Sequence, residues 1–147
     1  MLLIAHRGNL NGPNSNLENS PDYVVDAIQQ NFDVEVDVWY TNNQLFLGHD
    51  NPEYKIHLDF LLSHQSVLWC HAKNIEALNF MLEKDLHCFW HQEDDYTITN
   101  KGYIWAYPDK QVPNLSKSIT VMPEWHDTNV SNFSGVCSDY IESYKST

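Results

Sequence analysis

The sequence predicts an α/β fold: a compact, incomplete or distorted (β/α) barrel of the TIM type. Short apolar runs alternate with helix-like or loop segments, which is typical of strands and crossover helices around a parallel sheet. The chain has 147 residues, 42% of them hydrophobic, which favours a single domain over residues 1–147. The crossovers become very short after residue 90, and a complete eightfold barrel needs about 200 residues or more. We therefore expect a compressed barrel.

Each predicted strand or helix rests on a residue pattern within its own segment of the sequence. Apolar runs and period-two alternation predict strands, the clearest case being Phe32, Val34, Val36 and Val38 alternating with polar or aromatic neighbours. The predicted strands are Leu2–His6, Phe32–Tyr40, Gln44–Leu47, Ser66–Cys70, His87–Trp90, Tyr103–Tyr107, Ile119–Met122 and Gly135–Ser138. Helical spacing predicts one helix that begins at Pro21 and two that cover Leu58–Ser63 and Ile75–Glu83.

The charge limits the partners of the protein. Eight Lys and Arg residues against twenty acidic ones give a net charge of −12. A nucleic-acid-binding protein needs a basic face, so we expect no nucleic-acid partner. A small phosphate ester can still bind where a metal or a few basic residues reverse the local sign.

The chain has no targeting or membrane signal that reaches the required length. The apolar run Met1–Ala5 is too short for a signal peptide or a transmembrane segment. The three cysteines, Cys70, Cys88 and Cys137, lie in apolar strand-like runs. An odd number of such cysteines favours buried, reduced thiols and a cytoplasmic protein.

Polar residues gather where predicted strands end. In a parallel barrel these ends converge on one face, which makes such residues candidates for a site. In chain order they are His6, Arg7, Glu35, Asp37, His49, Asp50, His71, Lys73, His91, Glu93, Asp94, Glu124, Ser138 and Asp139.

Glu35 and Asp37 are the candidates for a metal site. They lie two apart on one strand, so both side chains point the same way. Two inward carboxylates are costly unless they hold a cation, which predicts a hard divalent ion such as Mg²⁺, Mn²⁺ or Ca²⁺. The alternative is that the pair faces solvent while the valines of the strand point inward. The sequence leaves both interpretations open.

Four motifs in the first fifty positions match one known pattern. They are His6-Arg7-Gly8, Glu18-Asn19-Ser20, Glu35-Val36-Asp37 and His49-Asp50. In this order and spacing they resemble the glycerophosphodiester phosphodiesterase family, within the superfamily of phosphodiesterases like phosphatidylinositol-specific phospholipase C. The family carries His-Arg-Gly, Glu-Asn-Thr, Glu-x-Asp and His-Asp at these places. The resemblance implies metal-dependent hydrolysis of a small phosphodiester and a hydrolase of lipid metabolism.

The resemblance also implies roles for individual residues. His6 and His49 would be the general acid–base pair, for which an imidazole suits because it titrates near neutral pH. Arg7 and Lys73 would bind the phosphate. Family members carry an acidic ligand where this chain has His71. We favour His71 as a nitrogen ligand, which would shift the preference towards Mn²⁺, over a histidine that only donates hydrogen bonds.

Several further residues are expected around this centre. Possible supporting or substrate-contacting residues are Glu18, Asn19, Asp50, His91, Glu124, Trp105 and Asp139. Trp105 and Tyr107 would either form an aromatic wall for the alcohol of the substrate or pack in the core. His91 would either extend the site or lie in a solvated loop.

Three functions are compatible with these residues. The first is hydrolysis, the second is a lyase or transferase reaction that releases a cyclic phosphate, and the third is a barrel that binds a phosphoester without cleaving it. An incomplete barrel exposes sheet edges that a homo-oligomer would cover. Sedimentation tests that expectation, and a strictly monomeric profile would count against it.

Overall fold

The computed structural model describes residues 1–145. Strands predominate, and they form one curled, mixed sheet that has the shape of a half-barrel. The strands are β1 Leu2–His6, β2 Asp33–Thr41, β3 Gln44–Leu47, β4 Tyr54–Ile56, β5 Leu68–Ala72, β6 Cys88–Phe89, β7 Tyr96–Ile98, β8 Ile104–Ala106, β9 Ser118–Val121 and β10 Gly135–Ser138. The α-helices are α1 Pro21–Gln29, α2 Leu58–Ser63 and α3 Ile75–Glu83, and two 3-10 turns cover Pro123–Trp125 and Ile141–Tyr144.

The predicted (β/α) TIM-type barrel is wrong. The main path of the sheet contains eight strands in the order β4-β3-β2-β1-β10-β9-β8-β7, with β5 and β6 branching from β2. Within residues 1–145, β6 forms no ladder with β8, so the sheet stays open. The segment between β6 and β8 contains no crossover helix. The segment after β6 instead folds back as β7, antiparallel to β8.

The predicted bounds of individual strands and helices were more accurate than the predicted architecture. Strands β1, β3 and β10 and helices α2 and α3 have the predicted bounds, and α1 begins at Pro21 with Ser20 as its N-cap. Strands β4 and β7 were not predicted. Each has three residues, which is too few for period-two alternation to be recognised.

Parallel pairing brings the ends of seven strands together. Strand β2 pairs with β1 through Asp33–Glu35 and with β5 through Val34–Val38, in both cases in parallel. Strands β6, β10, β9 and β8 continue the parallel order on either side. The carboxyl ends of these strands therefore lie at one end of the half-barrel.

Both faces of the sheet are buried, which decides the orientation of β2. The convex face packs on the helices through Val34, Val36, Val38, Val24, Ala27, Ala77 and Met81. The concave face is filled by Ile4, Trp69, Phe89, Trp105, Ile119 and Cys137. Glu35 and Asp37 also face inward and are only 2% and 1% exposed. The interpretation that places this pair in solvent is therefore wrong.

The cysteines are buried and free of disulfide bonds, as predicted. Burial raises the pKa of the Cys88 thiol to about 11 and raises those of Cys70 and Cys137 above their usual range. Thiols of this kind pack as small apolar groups. The helices within residues 1–145 include none with the length and apolar character that crossing a membrane requires.

Candidate functional site

A cavity of about 340 Å³ opens at the carboxyl end of the parallel strands. Its wall contains ten of the residues singled out in the sequence: His6, Arg7, Glu35, Asp37, His49, His71, Lys73, His91, Trp105 and Tyr107. These residues come from β1, β2, β5, β8 and the loops that follow the strands. Tertiary structure therefore gathers the predicted catalytic, phosphate-binding and metal-binding residues around one space.

His6 ends β1 and is oriented by a buried carboxylate. Its Nδ1 lies 2.7 Å from Oδ1 of Asp139, and the Asn9 amide donates to the same oxygen at 2.8 Å. Burial alone would raise the pKa of Asp139, but the hydrogen bond and charge of His6 lower it. The ionised Asp139 accepts from Nδ1–H, which leaves the Nε2 of His6 towards the cavity, 3.6 Å from Oε2 of Glu35.

His49 lies on the loop after β3 and has a similar partner. Its Nδ1 is 2.8 Å from Oδ1 of Asp50, which is far more exposed than Asp139. The Gly48 amide donates to the Asp37 carbonyl, and the Trp39 indole donates to the Gly48 carbonyl at 2.7 Å. These bonds hold the loop on β2. Partial burial and the charge of Arg7 lower the pKa of His49, which favours a neutral imidazole.

The loop that carries His49 depends on Gly48. Its φ of 153° is a conformation that other residues rarely adopt, and a Cβ there would collide with the Asn51 carbonyl oxygen. We expect Gly48→Ala to destabilise the protein by about 1–3 kcal/mol and to displace His49. Urea unfolding measures the loss of stability, and the NMR signals of the His49 ring report its displacement.

Gly102 provides the matched control for this variant. It also has a positive φ, 83°, but apart from its chain neighbours the atom nearest to a Cβ there would be Lys117 Nζ, at 3.8 Å. Gly102→Ala should cost stability through backbone strain alone and leave the NMR signals of the His49 ring unchanged in the folded protein. Equal shifts of these signals in both variants would contradict a specific role of Gly48 in placing His49.

Arg7 is held at the cavity by two carboxylates. Its Nη1 lies 3.3 Å from Glu18 Oε2 and its Nε lies 3.2 Å from Asp37 Oδ2. Asn19 supports the same arrangement, since its amide donates to Asp37 Oδ2 at 2.9 Å and accepts from the Asp37 backbone N–H at 3.0 Å. Glu18 and Asn19 therefore lie behind the cavity and position Arg7 and Asp37.

Glu35, Asp37 and His71 can offer ligand atoms that lie within 4.8 Å of one another. Oε2 of Glu35 and Oδ1 of Asp37 are buried and accept no hydrogen bond from any residue in 1–145. Buried acceptors of this kind are costly when they stay unsatisfied.

The tautomer of His71 decides which of its ring nitrogens can act as the third ligand of this group. Its Nε2 lies 2.9 Å from the His91 carbonyl oxygen, and a carbonyl only accepts, so Nε2 carries a hydrogen. The Nδ1 of the neutral ring then presents a lone pair 3.3 Å from Oδ1 of Asp37. Two facing acceptors need a proton or a cation between them. A ring nitrogen hydrogen-bonded to a backbone carbonyl is also typical of metal-binding histidines.

The electrostatics of the two carboxylates differ. Burial and the charge of Asp37 raise the pKa of Glu35 well above its usual range. Burial opposes ionisation of Asp37 too, but when Nδ1 of His71 carries a proton facing Asp37, that proton, Arg7 and Asn19 hold the pKa of Asp37 well below its usual range. Asp37 is therefore the readier of the two to ionise, and a divalent cation in the site would favour ionisation of Glu35 as well.

The remaining predicted residues take different places. Lys73 lines the cavity after β5, and His91 also lines it rather than lying in a solvated loop. Glu124 lies behind the cavity, where it accepts from the Ser138 hydroxyl at 2.9 Å and from the Asp139 amide at 3.2 Å. Trp105 is 3% exposed; it packs in the concave core, as one of its predicted roles requires, and it also lines the cavity.

Sequence reasoning missed Asn9 and Trp125. Asn9 is fully buried, donates to Glu18 and Asp139, and accepts from the Tyr23 hydroxyl at 2.9 Å. Its position directly after the His6-Arg7-Gly8 motif was the available signal. Trp125 follows Pro123 and Glu124 at the end of β9 and lines the cavity, but nothing in the local pattern distinguished it from a surface aromatic.

Comparison with known proteins adds no relative to this picture. No protein-family model, curated protein or solved structure matches the chain.

Proposed function

We propose that this protein is a divalent-metal-dependent phosphodiesterase that hydrolyses a small phosphodiester, and that it is a short relative of the glycerophosphodiester phosphodiesterases. One observation carries the proposal: two histidines, each paired through Nδ1 with a carboxylate, border the same cavity as a pair of buried carboxylates. Phosphodiester cleavage needs a base for the nucleophile and an acid for the leaving oxygen. A site that only binds phosphate needs neither.

The metal would be held by Glu35, Asp37 and His71. Two carboxylates and one imidazole suit Mg²⁺ or Mn²⁺, with the nitrogen ligand favouring Mn²⁺ over Ca²⁺. When bound, such an ion supplies positive charge that stabilises the phosphoryl oxygens as negative charge develops on them.

The two histidines differ in their carboxylate partners, which suggests how the roles divide. His6 has the largely buried Asp139 at Nδ1, which holds its Nε2 towards the cavity, and we assign His6 as the acid that donates an Nε2 proton to the leaving oxygen. His49 faces the exposed Asp50 and is the base that takes a proton from the attacking water or hydroxyl. Arg7 and Lys73 would neutralise the phosphate.

The pH dependence of the reaction follows from His49. A base must be neutral, so activity should fall as the pH drops through the pKa of His49. Burial and Arg7 lower that pKa, and a bound cation would act in the same direction. We therefore expect the acidic limb of the kcat/KM profile below about 6.5, the ordinary histidine value. A limb clearly above that value would argue against His49 as the base.

An activity screen tests the proposal as a whole. Folded protein is incubated with glycerophosphodiesters and with Mg²⁺, Mn²⁺ or Ca²⁺, and the products are followed by ³¹P NMR. A phosphomonoester product supports hydrolysis, whereas an accumulating cyclic phosphate would indicate a lyase or transferase. No turnover with any of the three ions would overturn the proposal in favour of phosphoester binding alone.

A further inference from the structure

We propose that the cavity selects phosphodiesters in which one alcohol carries a flat, uncharged aromatic group. The inference rests on the proposed function and extends it, because it names the group that the second half of the cavity binds. The observations that carry it are the division of the cavity into two unlike walls, the contacts between its rings, and the exposure of two aromatic side chains at the cavity.

The cavity has one charged wall and one apolar wall. The charged wall contains the histidines, the basic residues and the carboxylates already described. The apolar wall comes from β6, β8, β9 and the turn after β9, and consists mainly of Phe89, Trp105, Tyr107, Val121, Met122 and Trp125. A substrate whose phosphate lies at the charged wall would therefore direct one of its alcohols towards aromatic surface.

The aromatic wall begins beside the candidate metal ligand. The rings of His71 and Phe89 stack with centroids 5.1 Å apart and an interplanar angle of 9°. Phe89 in turn contacts Trp105, with centroids 4.7 Å apart. The aromatic wall thus starts next to the place where the phosphate would bind, but Phe89 and Trp105 are only 2% and 3% exposed, so the surface open to a ligand belongs to other residues of the wall.

Two aromatic residues of this wall remain open to a ligand. Trp125 is 60% exposed and Tyr107 is 42% exposed, although both line the cavity. Exposed apolar surface that borders a cavity commonly marks a binding surface. A ligand ring stacked there would remove that surface from water.

The backbone next to Trp125 is strained. Met122 has φ 48° and ψ 52°, a left-handed conformation, while its side chain is buried and lines the cavity. Its carbonyl accepts from the Trp125 amide at 3.1 Å, which closes the turn that presents the indole. Strained non-glycine residues concentrate at functional sites, where the surrounding structure holds them in place.

The charges around the apolar wall favour a neutral ring over a cationic headgroup. Among residues 1–145, the acidic residues that line this cavity are Glu35 and Asp37, and both belong to the charged wall. A cationic headgroup stacked on the Trp125 indole would share the cavity with the positive charge of Lys73. Neither of the two carboxylates just named lies in the apolar wall that would hold this headgroup. A polyol would have Gln92 as a polar partner in the cavity but would leave most of its hydroxyl groups against apolar side chains. A flat, uncharged aromatic group is not repelled by Lys73 and has no hydroxyl groups that would stay unpaired.

Three glycerophosphodiesters test the inference, with 2-phenylethanol, ethanol or choline as the second alcohol. All three release a primary alcohol, and the phenylethyl and ethyl esters differ only by a ring remote from the scissile bond. We expect kcat/KM for release of 2-phenylethanol to exceed that for ethanol by about tenfold or more, and to exceed that for choline as well.

Variants of Trp125 and a distant control assign the preference to the apolar wall. Trp125→Ala should reduce the phenylethyl-to-ethyl ratio several-fold, mainly through KM, and Trp125→Phe should keep most of it. Leu82→Ala changes a 49% exposed apolar residue on α3 that does not line the cavity, and it should leave the ratio unchanged.

The outcomes separate this inference from the function on which it rests. Equal kcat/KM for the phenylethyl and ethyl esters, or the highest value for choline, overturns the inference while the phosphodiesterase proposal stands. Cleavage of none of the three esters with Mg²⁺, Mn²⁺ or Ca²⁺ counts against the proposed function. Calorimetric binding of 2-phenylethyl phosphate and ethyl phosphate then decides the inference alone, and equal affinities would overturn it.

Discussion

His6→Ala and His49→Ala should each lower kcat for phosphodiester cleavage by about 10²–10⁴-fold, the usual contribution of a general acid or base. The reason is that each ring is held by a carboxylate, His6 by Asp139 and His49 by Asp50, so that its second nitrogen is available to the cavity. Water cannot take over either role at a fixed position. Steady-state kinetics at saturating substrate and metal measures the loss.

Further variants show whether this loss is specific. His57→Ala removes an exposed histidine that does not line the cavity, and it should leave kcat unchanged. Asp139→Asn keeps a polar partner for His6 but removes the negative charge, so it should lower kcat less than loss of the ring does. Retention of wild-type kcat by both His6→Ala and His49→Ala would refute the acid–base mechanism.

Glu35→Gln should weaken binding of Mn²⁺ by more than about 100-fold, because loss even of a residue that supports a metal ligand typically costs 10–100-fold in affinity.

Glu35→Gln should also make the metal-free protein more stable at neutral pH. The folded-state pKa of Glu35 is raised well above its usual range. Its stabilising effect is therefore present at low pH and is lost as the pH rises through that raised value. Glutamine removes this dependence because it stays neutral.

Thermal unfolding with and without Mn²⁺, at several pH values, measures both effects. Wild-type protein should gain in Tm with Mn²⁺, and should gain more at high pH, where the ion no longer competes with a proton on Glu35. Glu35→Gln should lose that gain. Glu83→Gln, which neutralises an exposed carboxylate on α3, should behave like wild type. An equal Mn²⁺-dependent gain in wild type and Glu35→Gln would exclude Glu35 as a ligand.

Strand β2 shows how far periodicity alone can be taken. Its alternation correctly indicated that Glu35 and Asp37 share one face and that Val34 and Val36 share the other. It could not say which face meets solvent, because that depends on what covers each side of the sheet. In the folded chain α1 and α3 cover the valines and the concave core surrounds the carboxylates, so both faces are buried.

The barrel prediction failed for a related reason. Strands β6, β8 and β9 were predicted close to their observed positions. β6 pairs in parallel with β5, and β8 pairs in parallel with β9. Closure of the sheet into a barrel, however, requires its two edge strands to pair with each other. Whether they meet depends on the length and path of the segment between them, and here that segment forms β7 instead of a crossover helix.

The sequence by itself determined the local elements and which side chains are candidates for the site. Turn residues, caps and short-range alternation act over a few positions, so Pro21, the α3 segment and the motifs around His6, Glu35 and His49 could be recognised without coordinates. Tertiary structure alone decided that Asp139 orients His6, that the His91 carbonyl selects the tautomer of His71, and that Trp125 borders the cavity. Those contacts join distant parts of the chain and follow from how the sheet curls, which no local pattern encodes.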